Sequence, residues 1–215
     1  MLVLKNKSRD SSSFTPVPAG MHLARCFRII DLGTQKTTYL GKEKFDRKLL
    51  IQFEIHSEDA NGNPLVTDRG EPLSISKRYT HSTYENATIC KDLGSWRGAP
   101  ITKDEGDQGI NLQRFLGMWA MLNVTKDLGN DGKEYTNIKT VNPVPPPIRK
   151  LGFPNPHNED LIYSIDESPP EVFEKLSENT RMTIQKSPEW QKKFAKKSTQ
   201  SFYDDDIPDF GNEPF

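Results

Sequence analysis

The stretch 48–56, KLLIQFEIH, limits the possible folds more than any other part of the chain. Its apolar residues Leu49, Ile51, Phe53 and Ile55 alternate with polar ones, which is the period-two pattern of a strand with one buried face. Such a strand needs neighbours to satisfy its backbone and a layer to cover its apolar face. We therefore expect a mainly β protein.

Four further strand signals surround this one, at 21–33, 73–80, 118–126 and 134–144. The region between the third and fourth strands is helical in character: 82–96 has Ser82 or Thr83 as a cap and Gly94 as a terminator, and a short helix over 111–116 stops at Gly117. Three strands, a helical region and two more strands predict a five-stranded OB-fold barrel with a helix between strands 3 and 4.

The connections differ in composition. Residues 36–48, KTTYLGKEKFDRK, are predicted to form a basic loop that carries Tyr39 and Phe45. Residues 57–72 contain two turn clusters and predict a hairpin connection, and LGNDGKE at 128–134 predicts a tight turn.

Proline and charge set the predicted domain boundaries. The segment 143–156 contains six prolines, predicts no regular structure and marks the edge of the barrel. After it, one or two short helices with Ser168 as a cap are expected to pack weakly as a small C-terminal appendage. The predicted division is a flexible arm at 1–19, the OB-fold domain at 20–148, a Pro-rich connection with short helices at 149–197, and a disordered acidic tail at 198–215.

The net charge of −1 hides an asymmetry. Residues 1–150 contain 22 Lys and Arg against 17 Asp and Glu, whereas residues 151–215 contain 7 against 13. The last 18 residues hold five acids and no base. A basic body is typical of a protein that binds a polyanion, and an acidic tail would either repel a polyanion or mimic one, although ordinary solvated charge is the alternative.

Several site classes find no support in the sequence. Cys26 and Cys90 lie far apart, and the four histidines lack ligand spacing, so we expect no metal, no cofactor and no disulfide. Gly41-Lys42 lacks the spacing and the Ser/Thr of a phosphate-binding loop. No stretch is apolar enough for a signal peptide or a membrane span, which favours a cytoplasmic protein.

Cations and aromatic rings occur together in the segments that would form the strand 2–3 face and the loop between strands 1 and 2. Unpaired nucleic acid exposes phosphates and base faces, and each stacked base contributes roughly 1–3 kcal/mol without sequence preference. The candidate DNA-binding residues are Arg25, Arg28, Lys36, Tyr39, Lys42, Lys44, Phe45, Arg47, Lys48, Lys77, Arg78, Tyr79, Tyr84, Trp96, Arg97, Lys126 and Lys133, with Trp119 and Tyr135 as further rings.

Each ring also has a packing interpretation. Phe53 and Trp119 lie in apolar strands, where a core role is favoured. Tyr79 is balanced between groove and core, and Trp96 could equally pin the helix to the barrel. Tyr39 and Phe45 favour binding, because a core role is harder to arrange in a basic loop.

Three segments together resemble a known family. ISKRYTHSTYENATICKDLGSWRGAPIT, LQRFLGMWAMLNV and KEYTNIKTVNPVP look like bacteriophage single-stranded DNA-binding proteins with an OB fold, over roughly residues 15–148. The resemblance implies a non-enzymatic protein that coats single-stranded DNA during phage replication and recombination, in the cytoplasm of the infected bacterium. Duplex DNA or RNA would be weaker ligands.

The tail is similar to the acidic tip of bacterial and phage proteins of this kind. That tip combines an Asp-rich run, Ile-Pro and a terminal Phe, and it implies docking on phage or host replication proteins. The corresponding residues are Asp204, Asp205, Asp206, Ile207, Pro208, Phe210 and Phe215, with either Phe210 or Phe215 as the anchor. The same tail would compete with DNA, so removing 198–215 is expected to raise DNA affinity at low salt.

Two other functions remain open at this point. A protein-interaction or virion-structural component would explain the appendage and the tail, but not the cations and rings. A nucleic-acid-processing enzyme is less favoured, because contiguous aspartates in a disordered tail cannot form an oriented two-metal site.

Overall fold

The computed structural model describes residues 15–39, 41–129 and 131–200, with the side chains of Tyr39 and of residues 195–200 outside that description. The protein is mainly β. Its strands are β1 (Gly20–Tyr39), β2 (Lys42–Ile55), β3 (Ser74–Thr80), β4 (Trp119–Leu128), β5 (Glu134–Asn142) and β6 (Leu161–Tyr163). They form one sheet in the order β3-β2-β1-β4-β5, with β6 paired to β1.

Short helices connect and follow the strands. They are α1 (Thr88–Arg97), α2 (Lys103–Gln108), a 3₁₀ helix (Leu112–Phe115), α3 (Pro146–Leu151), α4 (Pro170–Glu174), α5 (Glu178–Gln185) and α6 (Pro188–Gln200). No helix in the described part of the chain is long and apolar enough to cross a membrane.

The predicted basic loop at 36–48 is wrong, because this segment forms the distal part of a β hairpin. Thr37, Thr38 and Tyr39 suit an extended strand, and β1 continues through them. Gly41 has a φ of 74°, which allows the chain to reverse so that β2 begins at Lys42. The side chains that were placed on a loop therefore lie on paired strands.

The helical boundaries also differ from the prediction. Helix α1 begins at Thr88 without a side-chain cap, and Gly98, with a φ of 77°, ends it in place of Gly94. Gly94 is buried inside the helix, where an added Cβ would lie 3.2 Å from Pro100 Cα. The segment between the two predicted helices contains α2, which Thr102 and Glu105 cap reciprocally.

The Pro-rich exit and the appendage contain more structure than predicted. Helix α3 starts with prolines in its first turn, where the missing N–H costs nothing. Residues 161–163 add a sixth strand, and three helices follow it. Ser168 does not cap a helix; its hydroxyl accepts from Ser164 N at 2.9 Å, whereas Ser177 caps α5.

The chain divides into two compact units. The first comprises residues up to 30 and 50–162, and the second comprises 31–49 and 163 onward. Strands β1 and β2 thus contribute residues to both units, unlike the predicted boundaries, which kept them in one domain.

Each unit has its own core. In the first unit, Phe53 is fully buried and Trp96 packs between Phe53 and Phe115, with ring centroids 5.4 and 5.2 Å apart. Cys26 and Cys90 are buried free thiols of this unit. In the second unit, Tyr163, Phe173, Trp190 and Phe194 form a continuous row of ring contacts.

Candidate nucleic-acid interface

The end of the β1–β2 hairpin, here termed the hairpin tip, comprises the described residues 36–38 and 41–45 of the second unit, and all of them are exposed. The Phe45 side chain is 62% exposed, an unusual position for a large apolar ring. Lys42 and Lys44 on the same strand are also exposed. Lys36 forms an ion pair with Glu43, and both side chains are more than half exposed. The tip thus presents a ring beside cations, while the Tyr39 side chain lies outside the described residues.

The base of the same hairpin has a structural role. Arg47 donates to Asp31 at 3.1 and 2.5 Å and to Asp166 at 2.8 Å, and the hydrogen bond to Asp31 raises the Arg47 pKa. Lys48 lies 3.2 Å from Asp46. The buried Asp31 also accepts from Gly33 N and Ile165 N, so Arg47 balances a buried carboxylate.

The segment around the β4–β5 turn, residues 126–135 of the first unit, is a second exposed group with similar composition. The Tyr135 side chain is 48% exposed, and its hydroxyl donates to Asp131 at 2.7 Å. Lys133 is exposed, and Lys126 makes a surface ion pair of 3.3 Å with Glu134. An ion pair at such exposure is weak and can be exchanged for a phosphate at little cost.

Strand β3 does not present its ring to solvent. Tyr79 is 4% exposed and its hydroxyl donates to Asp92 at 2.8 Å. Lys77 donates to the same carboxylate at 2.6 Å and to Lys139 O at 3.2 Å. Burial beside Asp92 raises the pKa of Tyr79, which stays a neutral donor. The prediction that Tyr79 and Lys77 face nucleic acid is therefore corrected to a packing role, whereas Arg78 is exposed.

Trp96 and Arg97 of α1 are also engaged within the first unit. Trp96 is 2% exposed and its Nε1 donates to Trp119 O at 2.8 Å, which confirms the interpretation that it pins the helix. Arg97 makes two 2.7 Å hydrogen bonds to Glu105, and this pairing, with Thr102, lowers the Glu105 pKa to about 2. Tyr84, in contrast, is 66% exposed.

The sheet has two faces, and Ala120 and Leu122 lie on one of them. Arg25 is buried on the other face, here termed the outer face. It lies 3.4 Å from Glu54 Oε1, forms an ion pair with Asp160 and donates to Asn158 O at 3.3 Å. The prediction that Arg25 contacts a phosphate is therefore corrected to a structural role, because Arg25 would have to break all of these contacts to reach a phosphate. Arg28 is half-buried, its guanidinium lies 5.2 Å from the Phe27 ring, and burial lowers its pKa.

The segment 152–160, here termed the strap, covers the outer face. Glu54, with no exposed side-chain area, accepts hydrogen bonds from His157 N, Asn158 N and Asn158 Nδ2 at 3.2, 2.8 and 2.7 Å. Burial alone would raise the Glu54 pKa, but these hydrogen bonds and one from His56 hold it below its usual range. The sequence pattern placed Glu54 on a solvent face and gave no sign that a segment 103 residues away would cover it.

Trp119 lies on the same outer face, opposite Arg25 in the β1–β4 register. Its ring stacks on Phe153 of the strap, with centroids 4.8 Å apart and planes inclined by only 3°. The His56 ring meets Trp119 edge-on at 4.9 Å. The core role favoured for Trp119 is thus only partly met, since the side chain is half-buried. Phe153 was not recognised; its only signal was an aromatic residue between Gly152 and Pro154.

The charge of the described residues is not divided evenly between the two compact units. The described residues of the first unit, 15–30 and 50–162, contain 14 Lys and Arg against 15 Asp and Glu. Those of the second unit, 31–49 and 163–200, contain 12 against 9. The predicted basic barrel is therefore a near-neutral sheet region, and the cation excess belongs to the unit that carries the hairpin tip.

Among the described residues, no group of three or more His, Cys, Asp or Glu side chains could hold a metal ion. The predicted partner-binding tail, which includes Asp204 to Pro208, Phe210 and Phe215, lies outside the described residues. No protein-family model matches the chain, and no curated protein matches it at a significant level.

Proposed function

We propose that this protein binds single-stranded DNA without sequence preference and coats strands exposed during phage replication and recombination. The strand order supports the proposal. An OB-fold barrel has the order β3-β2-β1-β4-β5 with β3 and β5 closing the barrel, and a helix commonly lies between its third and fourth strands. The observed order is the same, and Lys77 of β3 reaches the backbone of β5 at Lys139.

The strongest support for the proposal is the composition of two turns. In OB folds the β1–β2 and β4–β5 loops contact oligonucleotides. Here each of these connections has an exposed ring among exposed lysines: Phe45 with Lys42 and Lys44 at the hairpin tip, and Tyr135 with Lys126 and Lys133 at the β4–β5 turn. Rings that stack on bases and cations that meet phosphates are the two requirements of a binder without sequence preference.

The proposal also includes the tail. Five acidic residues within 201–215 follow α6 directly, and the chain from 163 to 200 that precedes them contains 7 Lys and Arg against 6 Asp and Glu. A tethered polyanion competes with DNA at a high effective concentration and is screened by salt. We therefore assign the tail both autoinhibition and the recruitment of replication proteins.

Titration of labelled oligo-dT at several salt concentrations tests the function. Full-length protein should bind, and the logarithm of its affinity should fall linearly with the logarithm of salt concentration, by about 0.7 for each phosphate contacted. A chain ending at Gln200, which leaves α6 intact, should bind more tightly, most of all at low salt. Duplex DNA and RNA of equal length serve as comparison ligands. Absence of binding at low salt by both proteins would refute the proposal.

A further inference from the structure

We propose that Trp119 is a nucleobase-stacking site and that Phe153 occupies it when no DNA is bound. This inference deepens the proposed function and rests on it. It assigns to the outer face of the sheet a binding site that is covered by the strap, distinct from the hairpin tip and the β4–β5 turn.

The Trp119–Phe153 pair has the geometry of a base stack. Its planes are inclined by 3°, whereas the other ring pairs of the first unit are tilted: Phe53–Trp96 by 54°, Trp96–Phe115 by 44° and His56–Trp119 by 60°. A parallel flat ring at 4.8 Å is an arrangement that a nucleobase on an indole also adopts. Phe153 therefore covers the Trp119 face in the way that a base would.

The strap is held firmly at one end only. Residues 157–160 are anchored by the Glu54 and Arg25 contacts described above. Residues 152–156 are all exposed, the Phe153 side chain is 39% exposed, and residues 153–156 make no hydrogen bond to the described part of the chain. Phe153 can thus leave Trp119 while the anchored end, which satisfies the buried Glu54, stays in place.

The sheet beside Trp119 suits further bases. Residues two apart on a strand share a face, so Met121 and Asn123 follow Trp119, and the register places Leu23 and Met21 opposite them. These four residues are uncharged; three are half-buried and Met21 is 55% exposed. An uncharged, partly apolar strip accepts base faces and leaves phosphates in water, which matches the near-neutral charge of this unit.

The replacement of Phe153 by a nucleobase on Trp119 is expected to be favourable. A base stacked on an aromatic ring gains at least as much as a typical aromatic side-chain pair. Releasing Phe153 gives up one ring contact, and the flanking prolines limit the freedom of the released segment. Binding to the β4–β5 turn, which belongs to the same unit as Trp119, keeps the DNA strand tethered to this unit, so the local exchange needs only a small net gain.

Five proteins test the inference by oligo-dT titration at one salt concentration: the full chain, Phe153→Ala, Trp119→Ala, the double variant of these two changes, and Trp119→Phe. Phe153→Ala should bind about threefold more tightly, because the competing ring is gone. Trp119→Ala should bind about tenfold more weakly, which corresponds to about 1.4 kcal/mol. The double variant should match Trp119→Ala, and Trp119→Phe should keep most of the affinity because a flat ring remains.

Photocrosslinking with oligonucleotides that contain 5-bromouracil supplies an independent readout that does not depend on the stability of the variants. Crosslinks at Trp119 should form with the full chain and increase with Phe153→Ala. If the full chain binds oligo-dT but Phe153→Ala binds no more tightly, or no crosslink maps to Trp119, the stacking site is refuted while the proposed function stands. If the full chain does not bind, the proposed function itself fails.

Discussion

Strand β3 and the hairpin tip contain similar sequence patterns and place them in opposite environments. SKRYT at 76–80 and KEKFD at 42–46 both have a ring beside cations. Tyr79 faces the core, where Asp92 accepts its hydroxyl, whereas the Phe45 side chain is 62% exposed. A ring beside cations is therefore not evidence of a binding site by itself; the position of the ring in the strand and the presence of a buried acceptor decide its role.

The largest effect is expected at β3. Asp92→Ala should lower the free energy of unfolding by about 3 kcal/mol, because it removes the acceptor of the Tyr79 hydroxyl and the negative charge that balances the Lys77 ammonium. Tyr79→Phe, the matched change that keeps the ring, should cost about 1 kcal/mol. Urea denaturation measures both changes. If both variants keep the stability of the natural chain but bind oligo-dT more weakly, β3 is part of the DNA interface and the packing role is wrong.

A somewhat smaller effect is expected where the strap covers the outer face. Glu54→Gln should cost about 2 kcal/mol at pH 7, since an amide cannot accept all the hydrogen bonds that the carboxylate accepts. The folded-state pKa of Glu54 lies below its unfolded value of about 4.3, so the stabilisation is complete above that pH and is lost as the pH falls through the folded pKa.

Urea denaturation between pH 7 and pH 2.5 checks this sign. The natural chain should lose more stability than Glu54→Gln as the pH falls below the ordinary carboxylate range. Parallel pH profiles for the two proteins would contradict the account of the strap. Glu85→Gln, the same change at an exposed residue of the same unit, serves as the control substitution.

Substitutions at the hairpin tip are expected to have the smallest effect on stability. They should nevertheless weaken DNA binding clearly. Phe45→Ala should change the free energy of unfolding by less than about 0.5 kcal/mol, because the ring is exposed. It should weaken oligo-dT binding about tenfold through the loss of one stacked base. Met182→Ala removes an exposed apolar side chain from α5 of the same unit and should leave binding unchanged. Equal affinities of Phe45→Ala and the natural chain would remove Phe45 from the interface.

The sequence was sufficient to predict the elements that depend on short-range residue patterns. Period-two alternation located β2, and the order of strand signals predicted the succession of β1 to β5 around a helical region. The prediction of a loop at 36–48 is wrong because the charged residues of this segment indicate a loop, whereas the β-branched residues Thr37 and Thr38 favour the strand that is observed. The end of helix α1 is predicted too early because Gly94 resembles a terminator, whereas it lies inside the helix in close contact with residues 99–101, which follow the helix.

The sequence could not predict what depends on distant segments. Burial of Glu54 requires the strap, which is more than 100 residues away. The Trp119–Phe153 stack likewise joins β4 to an irregular Pro-rich segment. The contribution of β1 and β2 to two compact units also follows from tertiary packing alone. The residues proposed to contact DNA therefore had to be chosen by exposure and partners, which a local pattern does not reveal.

The salt dependence of oligo-dT binding by Lys42→Gln/Lys44→Gln tests the central claim most directly. If these lysines contact phosphates, the slope of log affinity against log salt should be shallower than that of the natural chain by about 1.4, the value for two phosphate contacts on a single strand. Lys91→Gln/Lys186→Gln, which removes two exposed cations from α1 and from the end of α5, should keep the natural slope. Identical slopes for the natural chain and Lys42→Gln/Lys44→Gln would contradict a DNA interface at the hairpin tip.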